Sequence, residues 1–145
     1  MNSSDSTKWF EYNHCVTFAD TNMVGNVYFA TYVMWMGKCR DMIMAEHYPE
    51  IEAHIKNGFG FATEFVHMDY LREAFLFDEL VIRLTVSEIS RTRLKFLCEI
   101  VNIKDNSVNA KGSQAVVWVN SQQKPCLMPD ELYKKTCEYF ELPQQ

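Results

Sequence analysis

The chain of 145 residues is 48% hydrophobic and carries a formal net charge of −5 at pH 7. That length predicts a single domain, residues 1–145, with room for one core, and the acidic balance argues against a nucleic-acid partner. No apolar run approaches the roughly 18 residues of a membrane span, and the polar residues 1–7 lack the order of a signal peptide. We therefore expect a cytoplasmic protein that has no membrane partner.

A first strand is predicted over residues 9–18, where apolar and more polar residues alternate. It leads into a loop of residues that cap helices or form turns: Asp20, Thr21, Asn22, Gly25 and Asn26. Gly25 allows a positive φ. No carboxylate follows between Asn22 and Cys39, so the amides at the start of the next helix are not compensated by an acid. Such amides suit an anion or a developing oxyanion.

A long helix is predicted over residues 29–46, because one helical face collects apolar side chains and one arginine: Phe29, Val33, Met36, Arg40 and Ile43. We expect this face to be buried. Arg40 lies only about 20° around the axis from Phe29, whereas Lys38 and Asp41 fall on the opposite, solvated side. An unpaired buried guanidinium would cost several kcal/mol, so Arg40 needs a partner, an anionic ligand or a cleft.

The rest of the chain predicts a sheet. Pro49 stops the long helix, and a short helix over residues 50–57 is ended by Gly58. Four strands follow, over residues 59–71, 78–89, 93–103 and 108–120. A last helix is predicted over residues 129–140, because Pro129 and the acids after it are favourable at a helix N-terminus. One strand, a long helix and four antiparallel strands predict an α+β fold in which a five-stranded antiparallel sheet wraps around the long helix.

The loop and helix together carry a resemblance. The run Asp20-x-Asn22-x-x-Gly25-Asn26-Val27-x-Phe29-x-x-Tyr32, leading to Cys39-Arg40, resembles hotdog-fold acyl-thioesterases of the 4-hydroxybenzoyl-CoA thioesterase type. It is more similar still to the thioesterases of enediyne polyketide biosynthesis, in which an Asn replaces the usual catalytic Asp of this loop. The likeness covers nearly the whole chain in element order. It implies a hotdog fold, homodimers or homotetramers, an active cleft at the dimer interface and no cofactor or metal.

By position, the resemblance implies four catalytic residues: Asn22, Phe29, Tyr32 and Arg40. Asn22 cannot be a nucleophile or a general base, because its amide has no ionisable proton near neutral pH. We therefore expect an oxyanion site in which the Phe29 N–H and the Asn22 side chain hold the thioester oxygen. Arg40 would stabilise charge on a β-keto oxygen or enolate. The Tyr32 hydroxyl would position the attacking water.

In the enediyne family, the substrate is a linear polyene β-keto acyl chain on an acyl carrier protein, and the released acid loses CO2 to give a methyl-ketone polyene. An apolar, deformable tunnel for such a chain would use Met and Phe side chains: Met34, Met36, Met42, Met68, Phe59, Phe61 and Phe65. Gly25, Asn26, Thr63 and Glu64 complete the expected substrate-binding set.

Each of these residues also has a structural interpretation. Asn22 would be only a loop cap, Tyr32 a packed ring with a satisfied hydroxyl, and Thr63 an ordinary strand residue. Arg40 would form an intersubunit salt bridge. Glu64 lies in a strand that is otherwise expected to belong to the core, so it is either the partner of Arg40 or a second site residue. The methionines would belong to the core.

Asp20 is the nearest acid to Asn22, and we expect it to brace the loop by accepting backbone N–H bonds rather than to act as a base. The five scattered cysteines predict reduced thiols rather than disulfides or a zinc site. The histidines share no ligand spacing, so they predict no metal site.

Two other functions stay open. A hotdog protein that binds an acyl chain or a partner without turnover is compatible with the missing carboxylate. An acyl-CoA thioesterase of general metabolism would need a basic rim for the CoA phosphates, and Arg91, Arg93 and Lys95 lie near one turn. The same cations would equally suit an acidic carrier protein.

Overall fold

The computed structural model of the protein describes residues 7–144. Residues 1–6, on which most of the expected lack of a targeting signal rests, lie outside the described residues. In chain order the elements are β1 (Phe10–Cys15), a single 3-10 turn (Phe18–Asp20), α1 (Phe29–His47), α2 (Ile51–Lys56), β2 (Gly60–Tyr70), β3 (Glu79–Ile89), β4 (Arg93–Asn102), β5 (Val108–Val119) and α3 (Asp130–Tyr139).

The five strands form one antiparallel sheet in the order β1-β3-β4-β5-β2. The predicted α+β architecture and element order are confirmed. The first strand was predicted too long, because it ends at Cys15 and the chain turns away through the 3-10 turn, where Phe18 is exposed. The core lies between α1 and the central strands, and its fully buried side chains include Leu80, Ile82 and Leu84 of β3 and the rings of Phe96 and Trp118.

The two edges of the sheet are β1 and β2. Much of β2 is exposed on both faces, and Phe65 and Val66 are open to solvent. The expectation that Glu64 sits in a core strand is therefore wrong, because β2 is an edge strand and the register shifts between Thr63 and Phe65 at this point. An exposed apolar edge with unpaired backbone groups is a surface on which another strand can pair.

The buried side of α1 differs from the predicted stripe. Met36 and Ile43 are buried as expected, but Phe29 is 61% exposed and Arg40 lies at the edge of the buried surface. Tyr32 and Trp35 are buried instead, and their rings pack against each other edge to face with centroids 5.4 Å apart.

The predicted helix ends are confirmed. The Tyr48 N–H donates to the Met44 carbonyl, and Pro49 prevents a further turn. The turn after α2 closes at Gly58, whose φ is +88°, and a Cβ on it would lie 2.8 Å from the Ser121 Cβ. Both the backbone angle and the close approach therefore favour glycine at that position.

Some features of other protein classes are missing from the described part of the chain. No helix within residues 7–144 is long and apolar enough to cross a membrane. The same residues contain no group of three His, Cys, Asp or Glu side chains that would hold a metal ion. All five cysteines are free, and burial raises the pKa of Cys39 to about 12, which makes it an unreactive core thiol.

Candidate functional site

A cavity of about 410 Å³ opens at the start of α1. Its wall combines the loop before α1, the first turn of α1 and the segment after β2, and its polar or aromatic members include Asn22, Asn26, Phe29, Tyr32, Tyr70 and Glu73. We call it the Asn22 cavity. The structure thus brings together three of the four predicted catalytic residues and one predicted substrate-binding residue, Asn26.

Backbone hydrogen bonds hold the loop that carries Asn22. The Asn22 N–H donates to the Asn26 carbonyl at 2.7 Å, and the Gly25 N–H donates to the Asn22 carbonyl at 3.0 Å. Gly25 has the predicted positive φ, +89°. The side-chain amide of Asn22 has no hydrogen-bond partner within residues 7–144, so its donor and acceptor are available to a ligand in the cavity.

The start of α1 also has an available donor. The N-cap residue Tyr28 makes no side-chain capping bond, and the first turn holds no acid. The Phe29 N–H is one of the first amides of the helix, which have no intrahelical acceptor, and the helix dipole favours negative charge beside it. The Phe29 carbonyl accepts a hydrogen bond from the Tyr70 hydroxyl at 2.8 Å, which fixes this end of the helix.

Tyr32 is a packed ring with a partner for its hydroxyl. Its side chain is 3% exposed, and the Ala74 N–H donates to its oxygen at 3.0 Å. Burial raises the pKa of this phenol, so the hydroxyl stays protonated at neutral pH. Because the oxygen acts as the acceptor toward Ala74, the hydroxyl hydrogen is left to donate elsewhere.

Glu73 is a cavity residue that the sequence analysis missed. The Asn26 Nδ2 donates to its Oε1 at 2.9 Å. Its sequence neighbourhood predicts only a joint between two strands, and the contact joins residues that are 47 positions apart. No local pattern distinguishes such a carboxylate from a solvated one, so only the folded topology reveals it.

Asp20 braces the loop, as expected. One of its oxygens accepts hydrogen bonds from the Thr17 N–H at 2.9 Å and the Thr17 hydroxyl at 3.3 Å, and it lies 2.8 Å from His14 Nε2. Burial acts to raise the pKa of Asp20, but the hydrogen bonds from Thr17 and His14 outweigh it and hold the pKa below its ordinary value.

A second cavity, of about 450 Å³, lies farther along α1, against α2 and β2. We call it the Arg40 cavity. Its wall is mostly apolar and includes the predicted substrate-binding residue Phe61, with Met44, Pro49, Ile51 and Ile55. An apolar wall with one cationic group is typical of a pocket for the hydrophobic part of a ligand.

The guanidinium of Arg40 is already paired. Its Nη1 donates to the Gln114 Oε1 at 3.0 Å, and its Nε and Nη2 donate to the Asp41 Oδ1 at 3.1 and 3.0 Å. The prediction that Asp41 lies on the solvated side is confirmed, since its side chain is 70% exposed, and the long arginine side chain extends to it there. The predicted need of Arg40 for a partner is confirmed.

The two cavities are separate within one chain. Arg40 follows Phe29 by eleven positions, which is about 16 Å along the helix axis at 1.5 Å per residue. One chain therefore does not place Arg40 beside Asn22 and Phe29, and the cleft predicted at the dimer interface, which would combine them across two copies, stays a prediction.

The remaining predicted substrate-binding residues lie elsewhere. Met36 is fully buried in the core, whereas Thr63 and Phe65 lie on the exposed edge strand β2. Within one chain, Glu64 forms an ion pair with Arg93 at 2.8 Å. The methionines of the expected tunnel divide in the same way: Met34 is exposed, and Met42 and Met68 pack against the core.

The expected basic rim is largely neutralised. Arg91 pairs with Asp130, and Arg93 and Lys95 both pair with Glu88, at 3.4 and 3.3 Å. These cations would have to exchange intramolecular partners in order to bind a phosphate or an acidic protein.

Comparison with known proteins bears on this geometry. The model of the thioesterase-like superfamily matches residues 16–136. The chain belongs to the thioesterase-like superfamily. The acyl-CoA thioester hydrolase YbgC of Escherichia coli O157:H7 is 25% identical over 127 residues, which cover 88% of this chain and 95% of that protein.

Solved structures of thioesterases share the fold. The dynemicin thioesterase is 31% identical, with a TM-score of 0.84, and the match covers 90% of this chain and 96% of that one. A 1,4-dihydroxy-2-naphthoyl-CoA thioesterase from Synechocystis has a TM-score of 0.84 at 20% identity, covering 93% of this chain and 99% of that one. Within the thioesterase-like superfamily, these matches confirm the predicted hotdog fold and the predicted activity class, a thioester hydrolase.

Proposed function

We propose that the protein hydrolyses a polyene β-keto acyl thioester on the acyl carrier protein of an enediyne-type polyketide synthase. The released β-keto acid would lose CO2 to give a methyl-ketone polyene. The observation that carries the proposal is the Asn22 cavity, in which a free side-chain amide lies with the first backbone amides of α1. The likeness to the dynemicin thioesterase, which binds a polyene, supports the substrate class.

The proposed hydrolysis depends on oxyanion stabilisation. The thioester oxygen would lie between the Phe29 N–H and the Asn22 amide, both of which donate more strongly as the oxygen gains negative charge. A preformed donor of this kind is worth about 3 kcal/mol of transition-state stabilisation. The loop itself supplies no base, since Asn22 cannot ionise and Asp20 is engaged by Thr17 and His14.

We infer that Arg40 acts on the same substrate from a second copy of the chain. The exposed apolar edge strand β2 would pair with its symmetry mate in a homodimer, and two such dimers would form a homotetramer. The Asn22 cavity of one copy would then meet the Arg40 cavity of the other. Arg40 would exchange its bond to the exposed Asp41 for the β-keto oxygen.

Arg40 would serve both chemical steps. A guanidinium beside the β-keto oxygen holds negative charge when water attacks the neighbouring thioester carbonyl. In the decarboxylation, the bond to the carboxylate carbon breaks and its electron pair becomes the enolate. The same guanidinium would stabilise this enolate until a proton from water completes the methyl ketone.

The test is thiol release by the purified protein from three thioesters: a β-keto polyenyl carrier protein, the same acyl group on CoA, and a saturated acyl carrier protein. We expect the first to react fastest and to yield CO2 and the methyl ketone by mass spectrometry. No release from any thioester would overturn the proposal and leave a protein that binds acyl chains without turnover.

A second candidate is an acyl-CoA thioesterase of general metabolism. The match to YbgC over 88% of the chain favours it. Faster release from CoA than from the carrier protein would select this function. For either reaction we propose a cytoplasmic location, which the five free cysteines support.

A further inference from the structure

The Asn22 cavity needs a group that accepts a proton, since water must lose one when it attacks a thioester. Asn22 has no such capacity. Among the residues that line this cavity, Glu73 carries the carboxylate. A carboxylate within hydrogen-bond reach of the attacking water is a recognised general base.

One oxygen of Glu73 is held and the other is available. Oε1 accepts the hydrogen bond from the Asn26 Nδ2 at 2.9 Å. Oε2 has no hydrogen bond or ion pair within residues 7–144. The neighbouring cation, Arg72, is paired with Asp105 at 2.8 Å and bonds to Ser107 at 2.6 Å, so it does not neutralise Glu73.

The backbone that carries Glu73 is fixed by a buried asparagine. The Asn109 side chain, in a residue 1% exposed, donates to the carbonyls of Arg72 and Glu73 at 3.1 and 3.2 Å. The backbone carbonyl of Asn109 accepts hydrogen bonds from the N–H groups of Leu71 and Arg72 at 2.9 and 3.1 Å. This clamp sets the position of the segment from inside the fold.

The same segment is tied to the start of α1. The Ala74 N–H donates to the Tyr32 hydroxyl oxygen, and the Val27 N–H donates to the Ala74 carbonyl at 2.9 Å. Glu73 is thus held relative to the amides that would bind the oxyanion. Rigid placement of a base relative to the oxyanion donors is a condition for efficient catalysis.

We propose that Glu73 is the general base of the Asn22 cavity and that Asn26 is its positioning residue, an inference that rests on the proposed thioester hydrolysis. Glu73 Oε2 takes a proton from water while the water oxygen forms a bond to the thioester carbon. The carbonyl electron pair moves to the oxygen, which the Phe29 N–H and Asn22 hold. When the carbonyl re-forms, the carbon–sulfur bond breaks, and the thiolate receives the proton from Glu73.

The decisive variant is Glu73→Gln, which keeps the side-chain length and an oxygen for the Asn26 bond but cannot take up the proton. We expect kcat to fall about 100-fold or more and KM to change little. Glu138→Gln, an exposed carboxylate on α3, is the matched control and should retain wild-type kinetics.

Other titratable or charged groups face this region: Arg72 beside Glu73, Tyr32 on α1, Tyr70 at the end of β2, and Asp78 before β3. Burial raises the pKa of both phenols, so both stay protonated at neutral pH and neither serves as the base. The Asp78 carboxylate accepts the Phe75 N–H at 2.9 Å. An Asp78→Asn variant should keep the wild-type kcat, which separates the effect of Glu73 from that of Asp78.

The outcomes distinguish this inference from the proposed function. Wild-type protein that releases no thiol defeats the proposed function, whereas active wild type with an equally active Glu73→Gln overturns the role of Glu73. If Glu73→Gln does not fold, Glu73→Asp decides. Glu73→Asp should keep measurable turnover with a lower kcat, because the carboxylate is withdrawn by one methylene, and an unchanged kcat would overturn the inference.

Discussion

The Asn22 cavity and the Arg40 cavity differ in what their polar groups already do. In the Asn22 cavity, the side-chain amide of Asn22 and the first amide of α1 have no acceptor or donor partner within residues 7–144. In the Arg40 cavity, the guanidinium is bonded to both Gln114 and Asp41. The Asn22 cavity can therefore bind a negatively charged oxygen without rearrangement, whereas Arg40 must first break one of its hydrogen bonds.

That difference predicts separate roles. Donors that are fixed and unpaired need no rearrangement when an oxyanion forms, so their effect falls on the rate of the chemical step. A cation that exchanges one carboxylate for a ligand gains only the difference between the two interactions. Substitutions in the two cavities should therefore differ in size and in dependence on substrate.

The largest effect is expected from Asn22→Ala. Loss of one oxyanion donor should lower kcat about 100-fold, as thiol release would show. The free energy of unfolding should change by less than about 0.5 kcal/mol, because the amide has no partner within the described residues. Asn13→Ala, an exposed position on β1, is the control. A wild-type kcat in Asn22→Ala would contradict the oxyanion role.

Arg40→Ala should have a smaller effect that depends on the substrate. We expect about a 10-fold loss with a β-keto thioester, in line with a hydrogen bond to a charged group, and less with a saturated acyl thioester. Asp41→Asn, which leaves the guanidinium in place, should keep or raise the rate. Equal losses on both substrates would show that Arg40 does not act on the β-keto oxygen.

Tyr32→Phe should affect folding more than chemistry. It removes the acceptor of the buried Ala74 N–H, which should lower the free energy of unfolding by about 1–3 kcal/mol in a urea titration. Tyr28→Phe, at an exposed ring without a capping bond, should be neutral. An undiminished stability in Tyr32→Phe would show that the Ala74 contact contributes little.

The smallest effect concerns Asp20. Its pKa is lower in the folded chain than its ordinary value of 3.8, so its carboxylate stabilises the fold above that pH and ceases to do so as the pH falls through the folded pKa. Asp20→Ala should lower the free energy of unfolding by about 1 kcal/mol at pH 7. The difference in the free energy of unfolding between Asp20→Ala and wild type should shrink in acid. A difference that stays constant with pH would contradict the stabilising role of the Asp20 carboxylate.

Local rules predicted much of the fold. Pro49 and Gly58 ended helices where expected, and Gly25 adopted its positive φ, because each depends on backbone geometry within a few residues. The misses involve contacts between distant segments. Arg40 was placed in the centre of a buried stripe, but the buried face of α1 passes through Tyr32 and Trp35 and leaves Arg40 at its edge.

The residues of the candidate site also divide into those that local sequence predicts and those that only the folded chain brings together. Asn22, Phe29 and Tyr32 lie in one short stretch, so the sequence placed them together. Glu73 reaches the same cavity only because Asn109 and the start of α1 fix the segment after β2. Such a contact has no local pattern, and the separation of Arg40 follows from the rise of the helix.

The most direct test of two cavities acting on one substrate is subunit complementation. Asn22→Ala and Arg40→Ala chains with different tags are coexpressed, and the mixed dimers are purified and assayed for thiol release from the β-keto thioester. If Arg40 acts across the interface, one of the two sites in each mixed dimer keeps both residues, and the activity should return to about half of wild type. No recovery above the two parent variants would contradict the account.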